Sequence, residues 1–177
     1  MAIQQPVVSL HNQVALITGA GQGVGQGIAL AMADAGARIA VTGRTLEKLQ
    51  HTCDLIRERG AQAIAIQCNV MDDESLQHTV QEVVDHFGTI DILVNNAQEM
   101  CLGSLLDLSD EQLDNGWRSG PRATFKLMKL CYPHLKPGGC IVNLASTAAK
   151  RWDSSGYGGY AAVKDAIRAL TRAAACE

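Results

Sequence analysis
The chain has 177 residues, room for one domain with a buried core, and its 47% hydrophobic and 19% charged content excludes extended disorder. A formal net charge of -3 offers no basic field, so nucleic acid is not an expected partner. No apolar run reaches membrane-spanning length and residues 1–12 carry no signal-peptide pattern; the expected compartment is the cytoplasm, with no membrane partner.

In chain order, residues 14–18 form a short apolar run that ends in a glycine cluster, and residues 28–35 read as a helix closed by Gly36. A second strand is predicted over 38–42, then a helix over 46–59 with Gly60 just beyond it. Residues 63–70 read as a third strand, 73–87 as a third helix ended by Gly88, and 90–95 as a fourth strand. A long helical region over about 110–135 is stopped by Pro137-Gly138-Gly139. Residues 141–145 make a fifth strand, and 160–175 an alanine-rich last helix. Strands alternating with helices imply βαβ units, and continuously apolar strands such as Ala15-Leu16-Ile17 imply burial on both faces. The predicted fold is α/β, a doubly wound parallel sheet forming one domain over 1–177. Gly36, Gly60 and Gly88 stand where a helix C-terminus needs a left-handed residue.

The six cysteines (Cys53, Cys68, Cys101, Cys131, Cys140 and Cys176) include no C-x-x-C pair, and the five histidines no H-x-x-x-H. They read as small hydrophobes in a reducing compartment and as dispersed imidazoles, with no metal site expected.

Between the first strand and first helix runs Thr18-Gly19-Ala20-Gly21-Gln22-Gly23-Val24-Gly25-Gln26-Gly27. Such glycines let the backbone turn tightly and approach a pyrophosphate at a helix N-terminus; a purely structural turn is the alternative. The G-x-G-x-x-G spacing is not met, and no Gly-Lys-Ser/Thr follows, so a nucleotide-hydrolase phosphate loop is excluded. Roughly 20 residues on, a dinucleotide fold places an acid for a ribose hydroxyl or a base for a 2′-phosphate. Here Val41-Thr42-Gly43-Arg44 has no acid and one arginine, which favours NADP over NAD unless Arg44 is only a solvated loop residue.

On the last helix, Tyr160 and Lys164 lie four residues apart on one face. A nearby ammonium favours phenolate, so the pair suits proton exchange, although Tyr-x-x-x-Lys alone is a common pattern. Ser146 follows the fifth strand, where its hydroxyl could meet a carbonyl or alcohol oxygen or could cap a turn.

Together these features resemble the short-chain dehydrogenase/reductase family, over nearly the whole chain from Val14. The family's T-G-x-x-x-G-x-G stands as Thr18, Gly19, Gly23 and Gly25, its N-N-A-G as Asn95-Asn96-Ala97, and its serine, tyrosine and lysine as Ser146, Tyr160 and Lys164. Tyr157 has Ala161 four residues later rather than a lysine, so Tyr160 is the catalytic candidate. The resemblance implies a Rossmann-type fold, an NADP cofactor and hydride transfer between nicotinamide and a carbonyl or secondary alcohol of a small molecule. Tyr160 would act as general acid/base, Ser146 would position the reacting oxygen, and Lys164 would hold the nicotinamide ribose and lower the tyrosine pKa. The cofactor would be held by Thr18, Gly19, Gly21, Gln22, Gly23, Val24, Gly25, Arg44, Asn69, Val70, Asn96, Ala97, Tyr160 and Lys164. Pairing of family members through helices four and five implies a homo-dimer or homo-tetramer; the small residues Ala161, Ala162, Ala166, Ala169 and Ala173 suit either such packing or ordinary burial.

Three positions depart from the family pattern. Gln98 replaces the glycine of N-N-A-G, and Asn69 the aspartate that meets adenine. The helix-four asparagine of the family's proton relay aligns with Gly120, with Asn115 one turn early and Ser119 adjacent. The chain also ends at Glu177, before the family's last strands and substrate loop, so the expectation is a fold incomplete at its C-terminus with Arg151, Trp152 and Tyr157 along a partial pocket wall. A non-catalytic NADP-binding or interaction protein is the alternative to an enzyme; an extended-type sugar-nucleotide epimerase fits the glycine spacing less well.

Overall fold
A computed structural model describes residues 8–150 and 156–177. Five parallel strands lie in the order β3-β2-β1-β4-β5: β1 (Val14–Thr18), β2 (Arg38–Gly43), β3 (Ala63–Gln67), β4 (Ile90–Asn95) and β5 (Leu135–Asn143). Among the described residues six α-helices connect or cover them: α1 (Gly23–Asp34), α2 (Leu46–Arg57), α3 (Asp73–Phe87), α4 (Asp110–Trp117), α5 (Ala123–Cys131) and α6 (Gly158–Ala174). The doubly wound, Rossmann-type parallel sheet is therefore present.

Alternation along β1 shows why the sheet needs cover on both sides. Val14 and Leu16 join Leu76, Val80, Val83 and Phe87 of α3 and Leu127 and Cys131 of α5 in one core. Ala15 and Ile17 point the other way, into a core with Ala29 and Ala33 of α1 and Leu49, Cys53 and Ile56 of α2. All five β1 residues are buried, so apolar side chains on both faces are what burial selects. Gly36, Gly60 and Gly88 all have positive φ, as expected for left-handed helix ends.

The largest differences from the sequence reading fall at four places. Helix α1 begins at Gly23 rather than at 28: Gly23 enters it with a positive φ that glycine adopts at little cost, and Gly25 packs against the β1 turn more closely than any side chain would allow, which outweighs the poor helix propensity of glycine. β3 ends at Gln67 rather than 70; the Asn69 N–H turns to Ser75 Oγ instead of continuing the ladder. The region over 110–135 is two helices joined by a wide turn, Arg118–Arg122, in which the Ala123 N–H bonds Arg118 O, five residues back. Pro121 lies inside that turn and has no N–H to give, which removes one regular helical bond. β5 starts at Leu135, not 141: Leu135 pairs with Ile90 and Cys140 with Ile92, so Pro137-Gly138-Gly139 bulges out of a strand instead of ending a helix.

Asn95 Nδ2 donates to Asn143 Oδ1 at 2.8 Å, and Asn143 Nδ2 to Thr171 Oγ1 at 2.9 Å, which ties β4 through β5 to α6. Among the described residues no helix is long and apolar enough to cross a membrane.

Candidate active site
The carboxyl ends of β1 to β4 open on a cleft of about 390 Å³, where the chain leaves β1 in one direction for β2 and β4 lies on the other side. Its floor is the turn from β1 into α1. A Cβ on Gly25 would stand 2.4 Å from Gly19 O and 2.6 Å from Asn96 Nδ2, so only glycine permits α1 to sit this close. Asn96 Nδ2 donates to Thr18 O at 2.8 Å and Gly19 O at 3.3 Å, pinning the turn. Gln22 caps α1 without any side-chain bond to its first N–H groups, which leaves donors of a helix N-terminus facing the cleft.

Of the residues expected to hold a cofactor, Gly19, Gly21, Gln22, Gly23, Val24, Gly25, Arg44, Asn69, Val70, Asn96 and Ala97 all line this cleft. Thr18 lies behind the wall, 2% exposed: its Oγ1 accepts from the N–H groups of Asn96 at 3.0 Å and Ala97 at 2.9 Å, joining the two loops. Asn69 Oδ1 accepts from the Met71 N–H at 3.2 Å, which fixes the orientation of its amide at the cleft wall. Arg44 meets Glu99 in an ion pair of 2.5 Å across the cleft mouth. Lys48 also lines it and donates to Gln22 Oε1 at 2.6 Å. The four-residue spacing of Arg44 and Lys48 on and before α2 was the available signal for that second cation; Glu99 and Ser119 reach the cleft only through tertiary folding.

Ser146, Tyr160 and Lys164 do not line the cleft. Ser146 Oγ accepts from the Ala148 N–H at 3.1 Å, capping the short turn Thr147–Lys150, and among the described residues its own proton has no acceptor. Tyr160 stands in the first turn of α6, with Tyr157 edge-on at 6.2 Å between ring centroids. Lys164 Nζ lies 5.7 Å from the Tyr160 ring centroid, over its face, and donates to Leu144 O at 2.5 Å. Arg151 and Trp152 lie outside the described residues. Ser119 Oγ donates to Asn115 O at 2.6 Å and accepts from the Glu99 N–H at 2.9 Å, so it fastens the β4 loop to α4.

Lys164 is 5% exposed, and burial pushes its pKa from 10.5 down to about 8. Between those values the unfolded chain keeps a proton that the folded chain has released, so this group's contribution to stability rises with pH. Above pH 9.0 the buried thiols of Cys53 and Cys131, pushed up to about 11 and about 12, act in the opposite sense. The stability difference between the native chain and Lys164→Met, measured by urea unfolding without cofactor, should therefore shift by about 1 kcal/mol in favour of the native chain from pH 8 to 9. A difference that stays constant across that window would contradict a buried, proton-releasing lysine.

The family described as short chain dehydrogenase matches residues 13–177. The chain is 35% identical over 170 residues to the hydroxynaphthalene reductase-like protein Arp2 of Metarhizium brunneum, covering 96% of this chain and 64% of that protein. It is 40% identical over 174 residues to a 12alpha-hydroxysteroid dehydrogenase of Clostridium sp., covering 93% and 67%. Among solved structures, a short chain dehydrogenase from Burkholderia cenocepacia in complex with NADP superposes with a TM-score of 0.90 at 36% identity, over 94% of this chain and 68% of that one. A short-chain dehydrogenase/reductase from Serratia marcescens gives 0.90 at 32%, over 94% and 68%. The chain thus spans about 64% of the length of the curated reductase-like relative.

Proposed function
The chain belongs to the short-chain dehydrogenase family, and from that premise we propose that it is an NADP-dependent oxidoreductase interconverting a carbonyl and a secondary alcohol on a small molecule. The observation that carries this reading is the cleft, with a glycine turn that a Cβ at Gly25 would fill, uncapped helix N–H groups and a basic residue at its mouth. These residues fit a dinucleotide: the α1 N-terminus suits the pyrophosphate and Arg44 a 2′-phosphate. The bound nicotinamide would supply or accept the hydride. Tyr160 would hold and move the proton at the substrate oxygen, Ser146 would donate a hydrogen bond to that oxygen, and Lys164 would meet the adjoining ribose. The cytoplasm is the proposed compartment.

Arg44→Ala should weaken NADP binding about tenfold or more and leave NAD within about twofold, because a charge-assisted bond to the 2′-phosphate is removed. Titration calorimetry with both nucleotides checks this, and equal loss for both would contradict it. A homo-oligomer is proposed through the apolar groove between Trp117, Pro121 and Phe125 on one side and Ala166, Ala169 and Leu170 on the other. Sedimentation velocity tests it: Phe125→Lys should shift the population to monomer, and a native chain already monomeric at micromolar concentration would contradict it.

A further inference from the structure
The cleft that suits a dinucleotide also contains an acid. Among the described residues that line it, Glu99 is the only acidic one, and Arg44 and Lys48 are the only basic ones. A carboxylate in a site for phosphates repels what the site attracts, so Glu99 weakens anion binding unless its charge is spent on a neighbour.

The two cations are held in different ways. Lys48 Nζ donates to Gln22 Oε1 at 2.6 Å, a neutral amide that leaves the ammonium charge uncompensated. Arg44 donates to the Glu99 carboxylate, a full countercharge. Arg44 follows β2 and Glu99 lies in the loop after β4, with β1 between those two strands in the sheet. The pair therefore crosses the carboxyl end of β1, where the glycine turn begins. Its backbones are fixed: Arg44 O accepts from Gln67 Nε2 at 2.9 Å, and the Glu99 N–H donates to Ser119 Oγ at 2.9 Å. Its side chains are free to part, since that of Arg44 is 66% exposed and that of Glu99 33%. An ion pair this exposed is weak, and a phosphate, which matches the guanidinium fork with two oxygens, can displace the carboxylate. The displacement still costs affinity, and only for a ligand that needs Arg44.

We propose that Glu99 sets the cofactor specificity of the cleft by competing with a 2′-phosphate for Arg44. It narrows the preference for NADP over NAD: NAD leaves the pair intact, whereas NADP must exchange one anion for another on the same guanidinium. Lys48, whose charge is unmatched, keeps the cleft attractive to phosphate while the pair stands. This rests on the reading of Arg44 as the residue that meets the 2′-phosphate.

Titration calorimetry on the full chain tests it with NADP and NAD, which differ only in the 2′-phosphate. Glu99→Gln keeps the size of the side chain and removes its charge. It should bind NADP about three- to fivefold more tightly and leave NAD within about 1.5-fold, the effect of releasing one exposed ion pair. Structural damage would weaken binding rather than tighten it, so the direction itself discriminates. In the Arg44→Ala background the same substitution should change neither affinity, because Glu99 then has no guanidinium to hold. Unchanged or weaker NADP binding in Glu99→Gln overturns the inference. An equal gain for both nucleotides, or a gain that persists without Arg44, also overturns it and makes Glu99 a general repulsive charge. In each of these cases the 2′-phosphate reading stands if the native chain prefers NADP to NAD; without that preference both fall.

Discussion
Tyr160→Phe is expected to reduce carbonyl turnover by about 10²–10⁴-fold, the usual contribution of a positioned proton donor, while leaving NADP affinity within about twofold. The substitution deletes one hydroxyl and keeps the ring that packs under Lys164 Nζ and edge-on to Tyr157. Cofactor binding should survive because the cleft walls are built from the loops after β1 to β4, not from Tyr160. Lys164 is held independently through Leu144 O, so its position does not depend on the phenol hydroxyl. The check is NADPH oxidation over a panel of ketones, beside nucleotide titration of the same preparation. A variant that turns over ketones at the native rate would remove Tyr160 from the chemistry. A native chain that binds NADP and reduces no ketone would favour a binding role over an enzymatic one.

The regular parts of the fold were legible because local and tertiary demands agree there. β1, β4 and α3 fall on the residues predicted for them, since doubly covered strands must be apolar throughout, and the Asp72 side chain caps α3 where the helix was expected to begin. The misreadings lie where local and tertiary preferences conflict. Pro137-Gly138-Gly139 is a strong stop signal locally, yet Leu135 ahead of it pairs with Ile90 and the three residues bulge outward. Pro121 should end a helix, and the wide turn around it instead carries the chain directly into α5. The glycine turn and Arg44 could be read from position in the βαβ order. The Arg44–Glu99 pair and the apposition of Gln98 with Gly120 could not, because each joins loops from distant parts of the chain. That ion pair sharpens the reading of Arg44: a 2′-phosphate must draw the guanidinium away from a carboxylate already holding it.

Gly25→Ala should destabilise the chain by about 3 kcal/mol and abolish measurable nucleotide binding, whereas Gly27→Ala, two residues on, should stabilise it by about 0.5–1 kcal/mol. Both substitutions add one methyl group within α1 and both improve helix propensity, so propensity predicts the same sign for each. The surroundings decide otherwise. At Gly27 nothing lies within 4 Å of the added carbon, and only the entropy of the unfolded chain changes. At Gly25 the methyl would meet Gly19 O at 2.4 Å and Gly19 C at 2.9 Å, backbone atoms that cannot rotate aside. It would also strike Asn96 Nδ2 at 2.6 Å, the group that holds the turn through Thr18 O. Helix α1 would have to move off the turn, carrying with it the N–H groups that face the cleft. Urea unfolding and titration with adenosine 2′,5′-bisphosphate would measure both consequences on the same samples. If Gly25→Ala unfolds like the native chain and binds the bisphosphate as well, the close approach of α1 to the β1 turn does not exist in solution, and the anion-binding geometry built on it fails with it.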